Sequence, residues 1–306
     1  MIWSTIFFGH KQDRLNQESS EQLYSAATAP TFTVGDDSLL QNFVLIRGGE
    51  FMLGSPFSEF LRGSDETQHL VRVNDFFLCK YAVTVGEFRS FVEASARTEA
   101  EKAGGEISRR NELSGSVRSH NEENHPVLHV SWYDAVAYSQ WLTEKTGKKF
   151  RIPTEAEWEY ACRAGTTTPF NTGEELMSGH ANYNGDNPYK NPFKNPYKNP
   201  FTNNQKGVYR GKCVVVNSFA PNAWGLYNMH GNVWEWCSDW YSGTYYDECK
   251  AEGTVSNPVG SATGSLRVLR GGGWNSDARL CRSAHRFNAY PYLRKDSVGF
   301  RLVLVP

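Results

Sequence analysis

The half of the chain beyond Gly165 combines many aromatic residues and glycines with little helical or strand periodicity, and this combination restricts the fold most. The 306 residues include 27 glycines, 9 tryptophans, 15 tyrosines and 18 phenylalanines. Each tryptophan offers a large apolar ring and one N–H donor, which suits it to pinning a long loop onto a small sheet. The composition therefore predicts an aromatic core connected by loops, and it disfavours a helical bundle. The tryptophans expected to act in this way are Trp158, Trp224, Trp234, Trp236 and Trp274.

The fold is expected to begin near Phe43, because residues 1–40 are polar and have no sustained periodicity. We predict that residues 1–40 form a flexible leader and that residues 41–306 form one domain. Between residues 43 and 55, two apolar runs flank Gly48 and Gly49, which is the pattern of a β-hairpin. A third strand is predicted within residues 69–80.

Three helices are predicted from their N-terminal caps. At each cap a serine or threonine stands three residues before a carboxylate, so that each side chain can accept a hydrogen bond from a free backbone amide. The predicted helices cover residues 85–94, 132–146 and 155–164, and Gly147 and Gly165 follow the last two as C-terminal stops. The cap pairs are Thr84 with Glu87, Ser131 with Asp134, and Thr154 with Glu157.

Two segments are predicted to be surface insertions. Residues 98–122 are polar and charged and lie between two predicted helices. Residues 187–201 repeat an Asn-Pro-aromatic unit every four residues, with lysines between the units. Proline at this frequency excludes both a helix and ladder pairing. A sticky aromatic contact loop is the alternative interpretation of the repeat.

Charge and cysteine content exclude some classes of function. The formal net charge is -1, so the chain lacks the basic field that holds nucleic-acid phosphates. No apolar stretch approaches the roughly 20 residues that span a bilayer, so the body is not expected to cross a membrane. The cysteines lack the C-x-x-C spacing of zinc or redox sites, and the sequence leaves free thiols and disulfides both open. They are Cys79, Cys162, Cys213, Cys237, Cys249 and Cys281.

Seven segments follow one another in an order typical of the formylglycine-generating-enzyme family, whose members are also called sulfatase-modifying factors. They lie at residues 48–55, 83–88, 125–135, 151–161, 222–236, 270–274 and 299–303. The chain resembles this family over about residues 43–306. The resemblance implies an α+β, C-type-lectin-like fold of the formylglycine-generating-enzyme type, which is loop-rich and has small antiparallel sheets and a few helices.

The resemblance also implies a structural calcium ion. In related proteins, the positions that match Asn228, Gly231, Val233 and Glu235 supply side-chain and carbonyl oxygens to calcium. Oxygen ligands from one short loop suit a hard cation. The alternative is that Glu235 accepts hydrogen bonds from backbone amides of the same loop, without a metal.

The catalytic residues of the family are only partly present. Its enzymes oxidise a substrate cysteine with two cysteines five residues apart, and the matching positions here are Ser276 and Cys281. A serine supplies neither a redox thiolate nor a soft ligand for Cu(I). Cys281 alone could act as a nucleophile, with His285 as its base, if the segment were helical. Other branches hold iron with histidines, but His125 and His129 flank Pro126 and are expected to pack or cap.

Residues 270–301 resemble the variable region of proteins diversified by retroelements, of the treponemal variable protein type. In that group a reverse transcriptase randomises adenines, commonly in AAC codons, and all but Trp274 of the residues below are reachable in this way, whereas Lys295 is not. The aromatic cluster at 287–293 has no helix or strand period and resembles the composition of a paratope. The fixed frame would include Arg270, Arg282, Arg286 and Arg301. The predicted ligand-binding residues are Trp274, Asn275, Ser276, Asp277, Phe287, Asn288, Ala289, Tyr290, Tyr292, Leu293, Asp296 and Ser297.

Together these patterns favour a ligand-binding display protein that is not an enzyme and whose C-terminal loop surface is diversified by a retroelement. The expected partner is a protein or cell-surface ligand, the expected state is a monomer, and no cofactor is required. The resemblance implies a cell-surface or extracytoplasmic location. The alternative is an oxidoreductase or accessory enzyme of the sulfatase-modifying type that uses Cys281 or a metal.

Overall fold

Three helices begin at the caps that the sequence predicts. The computed structural model describes residues 37–102, 123–189 and 206–306. In it, helices α1, α2 and α3 span Val85–Lys102, Trp132–Thr146 and Glu155–Arg163. Reciprocal cap bonds are present at all three N-termini. Helix α2 ends at Gly147 and α3 at Ala164, both in the left-handed conformation, whereas α1 extends past the predicted end at residue 94.

A fourth helix, α4, spans Tyr245–Glu252 and was missed by the sequence analysis. Its N-cap, Thr244, makes no side-chain cap bond, and the helix has only 8 residues. It buries Tyr246 and Cys249. A helix this short gains most of its stability from tertiary packing, so its sequence carries no strong local signal.

Eleven short strands form three small sheets among the described residues, which confirms the predicted α+β class. The sheet orders are β1-β4-β11-β5, β10-β6-β8-β9 and β2-β3-β7. Most pairs are antiparallel, but β3 with β7 and β6 with β10 are parallel, which corrects the all-antiparallel prediction. The strands are β1 Phe43–Ile46, β2 Gly49–Leu53, β3 His69–Val73, β4 Phe76–Cys79, β5 Phe150–Arg151, β6 Trp234–Trp240, β7 Val255–Ser256, β8 Arg267–Arg270, β9 Phe287–Ala289, β10 Val298–Gly299 and β11 Val303–Leu304.

The predicted hairpin between β1 and β2 is wrong. Strand β1 pairs with β4, and β2 pairs with β3, so the chain changes sheets at Gly48. A Cβ atom on Gly48 would lie 2.4 Å from the carbonyl oxygen of Val73, because the backbone passes directly against the β3–β4 connection. The two glycines therefore mark a close crossing of backbones, and the segment predicted as one strand contains two strands, β3 and β4, which belong to different sheets.

Indole N–H groups pin loops to the core as predicted. Trp236 is fully buried and donates to the carbonyl of Val130 at 3.0 Å. Trp158 is also fully buried and donates to the Glu235 carboxylate at 2.8 Å. Trp274 donates to the carbonyl of Asp296 at 2.9 Å. Each bond joins segments far apart in the chain, so the tryptophans fix loops that have no regular structure of their own.

Buried arginines of residues 270–301, which we call the C-terminal segment, form ion pairs with carboxylates from earlier parts of the chain. Arg282 binds Glu66 at 2.7 Å and Glu59 at 2.6 Å, in the loop that precedes β3. Arg286 binds Glu155 through two bonds of 2.8 and 3.0 Å. The other two pairs are Arg270 with Glu159 and Arg301 with Glu235. These contacts confirm the predicted frame of arginines that tie loops to carboxylates; we call the four arginines Arg270, Arg282, Arg286 and Arg301 the arginine frame.

Several predictions fall wholly or partly outside the described residues. Residues 1–36 of the predicted leader, 103–122 of the first insertion and 190–201 of the repeat are among them. Tyr189, the first aromatic residue of the repeat, is described and buried, and it packs against Phe60 and Phe170. All six cysteines are buried free thiols. Of the helices described, none has the length and apolar character needed to cross a membrane.

Loss of Arg282 should unfold the protein more readily than loss of an exposed arginine. Arg282→Met leaves Glu59 and Glu66 buried without their cation, so we expect the free energy of unfolding to fall by about 3–5 kcal/mol. Arg47→Met is the matched control, because Arg47 pairs with Asp75 at the surface and its side chain is 79% exposed. There we expect less than about 1 kcal/mol. Urea denaturation measures both, and equal losses would contradict the framework role of Arg282.

Asp239 gives stability a pH dependence of predictable sign. Burial and the nearby Glu155 carboxylate raise its pKa to about 7. Between about pH 4 and pH 7 the folded state therefore keeps a proton that the unfolded state has lost, so stability falls as pH rises. The Asp239→Asn variant lacks this titrating group. The stability of the variant minus that of the parent should therefore increase as the pH rises through that range. Thermal unfolding from pH 4 to 8 checks the trend, with Asp247→Asn at an exposed position as control.

Candidate functional site

The C-terminal segment enters one sheet three times, and its loops emerge between these strands. Strands β8, β9 and β10 all belong to the sheet whose order is β10-β6-β8-β9. Between β8 and β9 lies a short 3-10 helix, Ala278–Cys281. The strands and the arginine frame fix the ends of each loop. Residues 271–286 and 290–297 are consequently held at both ends by elements that do not depend on the loop side chains.

An aromatic cluster on this segment is exposed. Tyr290 and Tyr292 stack with ring centroids 5.3 Å apart and an interplanar angle of 8°. They are 53% and 67% exposed. Phe287 is 43% exposed and lies with its ring 4.9 Å from that of Trp234. The outer faces of these rings are therefore free to contact a partner, whereas their inner contacts keep them in place.

Three of the predicted ligand-binding residues are buried, which corrects the predicted set. The Ser276 hydroxyl accepts a hydrogen bond from the Gly273 amide at 2.9 Å. Ala289 packs into the core from β9, and the Ser297 side chain lies beneath the Gly273 backbone. The sequence pattern could not separate them from their exposed neighbours, because the segment has no regular period. The remaining nine form what we call the C-terminal face: Trp274, Asn275, Asp277, Phe287, Asn288, Tyr290, Tyr292, Leu293 and Asp296.

One residue beside this face was missed because it lies outside the C-terminal segment. Tyr209 is 44% exposed and stacks on Trp274, with centroids 6.3 Å apart and an angle of 17° between the rings. Its neighbour Val208 is anchored by a bond from its amide to the Ser178 hydroxyl at 2.9 Å. Nothing in the sequence around Tyr209 marks it for this position, because the contact joins residues 65 positions apart only in the folded chain.

The cysteine that the alternative, enzymatic interpretation would use is buried inside the protein. Cys281 is fully buried, and burial together with the nearby Asp277 raises the pKa of its thiol far above the usual value. Its sulfur lies 3.7 Å from the Asp277 carbonyl oxygen. Ser276 occupies the position of the other, upstream cysteine of the family's pair, and it is also buried. The thiolate that nucleophilic or redox chemistry requires is therefore disfavoured.

His285 is not placed as a base for Cys281. The 3-10 helix ends at Cys281, and Arg282 is extended, so the two residues do not share a helical face. His285 instead lies 3.6 Å from Glu66 and packs against Trp234. A different histidine, His230, binds the Cys281 carbonyl through Nδ1 at 2.7 Å and accepts from the Asn171 amide through Nε2. Burial lowers the pKa of His230 to about 4, so it is neutral at physiological pH.

Glu235 and Gly231 of the predicted calcium loop already use their oxygens within the fold. Both carboxylate oxygens of Glu235 accept bonds from Arg301, at 2.6 and 2.7 Å, and one of them also accepts from Trp158. The carbonyl of Gly231 accepts from the Val233 amide, and the Asn228 amide group donates to the Val216 carbonyl. A guanidinium thus occupies the place of a cation beside Glu235, and this arrangement does not fit Glu235 as a calcium ligand. Calcium stays a prediction, which metal analysis of the purified protein tests.

A separate small pocket lies on the far side of His230. Its volume is about 130 Å³, and its lining includes Asn171, His180, Asn222, Asn228 and His230. No residue of the C-terminal face contributes to it. Polar groups of the lining already form bonds inside the fold: Asn222, for example, donates to the Ala161 carbonyl and accepts from two backbone amides. The pocket and the exposed face are therefore distinct features.

Comparisons with known proteins agree with the family predicted from the motifs. The model of the sulfatase-modifying factor enzyme 1-like domain matches residues 31–305. The formylglycine-generating enzyme of Streptomyces coelicolor is 36% identical over 294 residues, which cover 84% of this chain and 87% of that enzyme.

Two solved structures share the fold. The structure of PvdO from Pseudomonas aeruginosa has a TM-score of 0.66 and 30% identity, covering 92% of this chain and 100% of that one. Variable protein 1 of Treponema denticola has a TM-score of 0.62 and 23% identity, covering 90% and 99%. The predicted C-type-lectin-like fold is thus confirmed. Because the family model covers nearly the whole chain, this protein belongs to the sulfatase-modifying factor enzyme 1-like family.

Proposed function

We propose that this chain is a non-catalytic display protein that binds a protein or cell-surface ligand through the C-terminal face. The observation that carries the proposal is the stacked and exposed pair Tyr290 and Tyr292, next to the exposed Phe287. Tyrosine side chains give a large contact area at a small entropic cost, which is why they dominate antibody paratopes. The two tyrosines and the phenylalanine, with short polar neighbours in the same segment, resemble the composition of such a binding surface.

The division of labour within the segment supports a binding role. The arginine frame points inward and pairs with buried carboxylates, whereas the aromatic rings of the face point outward. Exposed residues away from buried networks usually change stability by less than about 0.5 kcal/mol when substituted. The exposed positions can therefore vary with ligand demand while the frame keeps the loops in place.

We further propose that a retroelement diversifies the exposed positions of this face. The fold tolerates such variation because its backbone is held by residues outside the varied set. The buried Ser276, Ala289 and Ser297 would accept only small residues, since a larger side chain would displace the packed neighbours. Display at the cell surface belongs to the same proposal and rests on the resemblance; antibody labelling of intact cells tests it.

The gene neighbourhood gives the sharpest test of diversification. We expect a near-copy of the DNA for residues 270–301 and a reverse-transcriptase gene close by. In deep sequencing of a population, codon changes should concentrate at Asn275, Phe287, Tyr290 and Tyr292 and should spare the arginine frame. Residues 222–236 serve as the internal control for background mutation. If neither the near-copy nor the reverse transcriptase is found, or if the frame varies as often as the face, diversification is rejected.

The competing candidate is oxidation of a substrate cysteine, which the name of the Streptomyces coelicolor relative favours. It would use Cys281 or a metal. The serine at position 276 and the sealed, high-pKa thiol of Cys281 both weigh against it. A non-catalytic role is compatible with both the serine at position 276 and the buried thiol of Cys281.

An assay with a cysteine-containing sulfatase-like peptide separates the two candidates. We expect no aldehyde in the peptide, measured by mass spectrometry after incubation in air with and without added copper. We also expect the native protein to react slowly with a thiol reagent and to release about six thiols once unfolded, since all six cysteines are buried. Turnover that Cys281→Ala abolishes, and that Cys249→Ala leaves intact, would overturn the binding proposal.

A further inference from the structure

The guanidinium of Arg267 lies between two tryptophan rings. Its central carbon is 3.8 Å from the ring centroid of Trp132 and 3.4 Å from that of Trp240. The Trp132 indole is itself fixed, because its N–H donates to the Cys237 carbonyl at 2.9 Å. Two aromatic faces hold a guanidinium plane in one orientation, and both attract its charge. Arg267 is therefore a rigid cation.

Unlike the arginine frame, Arg267 forms no salt bridge among the residues that the structure describes, and the acidic group that acts on its charge, the buried Asp239 carboxylate, does so without a direct bond. Its one hydrogen bond runs from Nη1 to the carbonyl of Ser238. The Nε atom is buried without an acceptor. The remaining nitrogen, Nη2, makes no hydrogen bond to the described residues and, unlike Nε, is not fully enclosed. A half-buried guanidinium that retains an unused donor is suited to an oxyanion from outside the fold.

The cation lies beside the C-terminal face. In the β8–β9 ladder, Arg267 is in register with Ala289, which immediately precedes Tyr290. The backbone amide of Trp132 donates to the carbonyl of Pro291 at 3.0 Å, and Pro291 separates Tyr290 from Tyr292. The tryptophan that covers the guanidinium thus contacts the loop that carries the stacked tyrosines. The exposed Tyr133 continues the aromatic surface, with its ring 5.6 Å from Trp132.

We propose that Arg267 is an oxyanion subsite at the tyrosine end of the C-terminal face, and that it binds a carboxylate of the ligand through Nη2. The identity of the ligand as a protein rests on the function proposed above; a side-chain or terminal carboxylate is the oxyanion that a protein supplies. Because Nε is enclosed, the carboxylate is held by one nitrogen rather than in a two-bond fork. Arg267 comes from β8 and lies outside the loops of the face, so it adds a fixed positive charge beside a surface whose own charged members, Asp277 and Asp296, are acidic.

Acetate tests the subsite without any knowledge of the ligand. The protein is labelled with 15N-arginine, and the Nε–Hε signal of Arg267 is identified by its loss in Arg267→Lys. We expect acetate to shift this signal saturably, with half-saturation on the order of 10–100 mM, as for one charge-assisted hydrogen bond. Sodium chloride keeps the ionic strength constant. The Nε–Hε signal of Arg47, which is exposed and already paired with Asp75, is the matched control.

The outcomes decide the proposal independently of the function. No saturable shift at Arg267, or the same shift at Arg47, overturns it and leaves Arg267 as a packing residue only. A response to inorganic phosphate with none to acetate overturns the carboxylate assignment. Acetate binding in a protein whose gene lacks the retroelement would support the subsite while the diversification proposal fails. Arg267→Lys serves only to identify the signal. The acetate titration itself uses the folded parent protein, so a lower stability of the variant does not change its result.

Discussion

Buried ion pairs between C-terminal arginines and earlier carboxylates are the constraint on which the loops of this protein depend. Much of the described chain beyond Gly165 lies outside helices and long strands, so backbone ladders fix little of it. A buried guanidinium is costly unless its charge and its donors are satisfied, and that need restricts Arg270, Arg282, Arg286 and Arg301 to one arrangement each. Together these arrangements join the C-terminal segment to three elements: Arg282 to the loop before β3, Arg270 and Arg286 to helix α3, and Arg301 to strand β6. The ion pairs thus specify the loop positions rather than merely adding stability.

This constraint explains why one segment can serve both packing and recognition. Arg286 bonds only to groups inside the fold, namely the Glu155 carboxylate and the carbonyls of Asp65 and Ser242. The next residue, Phe287, nevertheless has 43% of its surface exposed. The strand β9 sits at the edge of its sheet, and within its three residues burial changes from the exposed Phe287 to the buried Ala289. The contacts of the inward residues therefore offset the conformational entropy that is lost when the loop is ordered. A ligand then binds aromatic rings that are already in place. Preordered contacts lose less entropy on binding than mobile ones.

Local rules predicted the local features, and the failures concern contacts between distant parts of the chain. The caps at Thr84, Ser131 and Thr154 could be located because both partners lie within four residues. The exchange of β-strand partners at Gly48 could not, since it depends on the approach of the β3–β4 connection. The motifs identified the family, but they could not separate the buried Ala289 from the exposed Tyr290, nor reveal that Tyr209 stacks on Trp274. Burial of single residues in loops is decided by tertiary packing, for which a sequence without periodicity holds no local signal.

The glycines before Trp274 connect the sealed thiol to the exposed face. Gly272 has a φ of 79°, and a Cβ atom there would lie 2.5 Å from the sulfur of Cys281. Only a residue without a side chain allows the backbone to lie this closely over the thiol in the left-handed conformation. The same backbone then reaches Gly273, whose amide donates to the Ser276 hydroxyl and turns the chain outward at Trp274. The oxygen of Ser276 is therefore an acceptor that shapes this turn, and the sulfur of Cys281 fills the space beneath it. Residues at the positions of a catalytic pair here support the turn from which the C-terminal face begins.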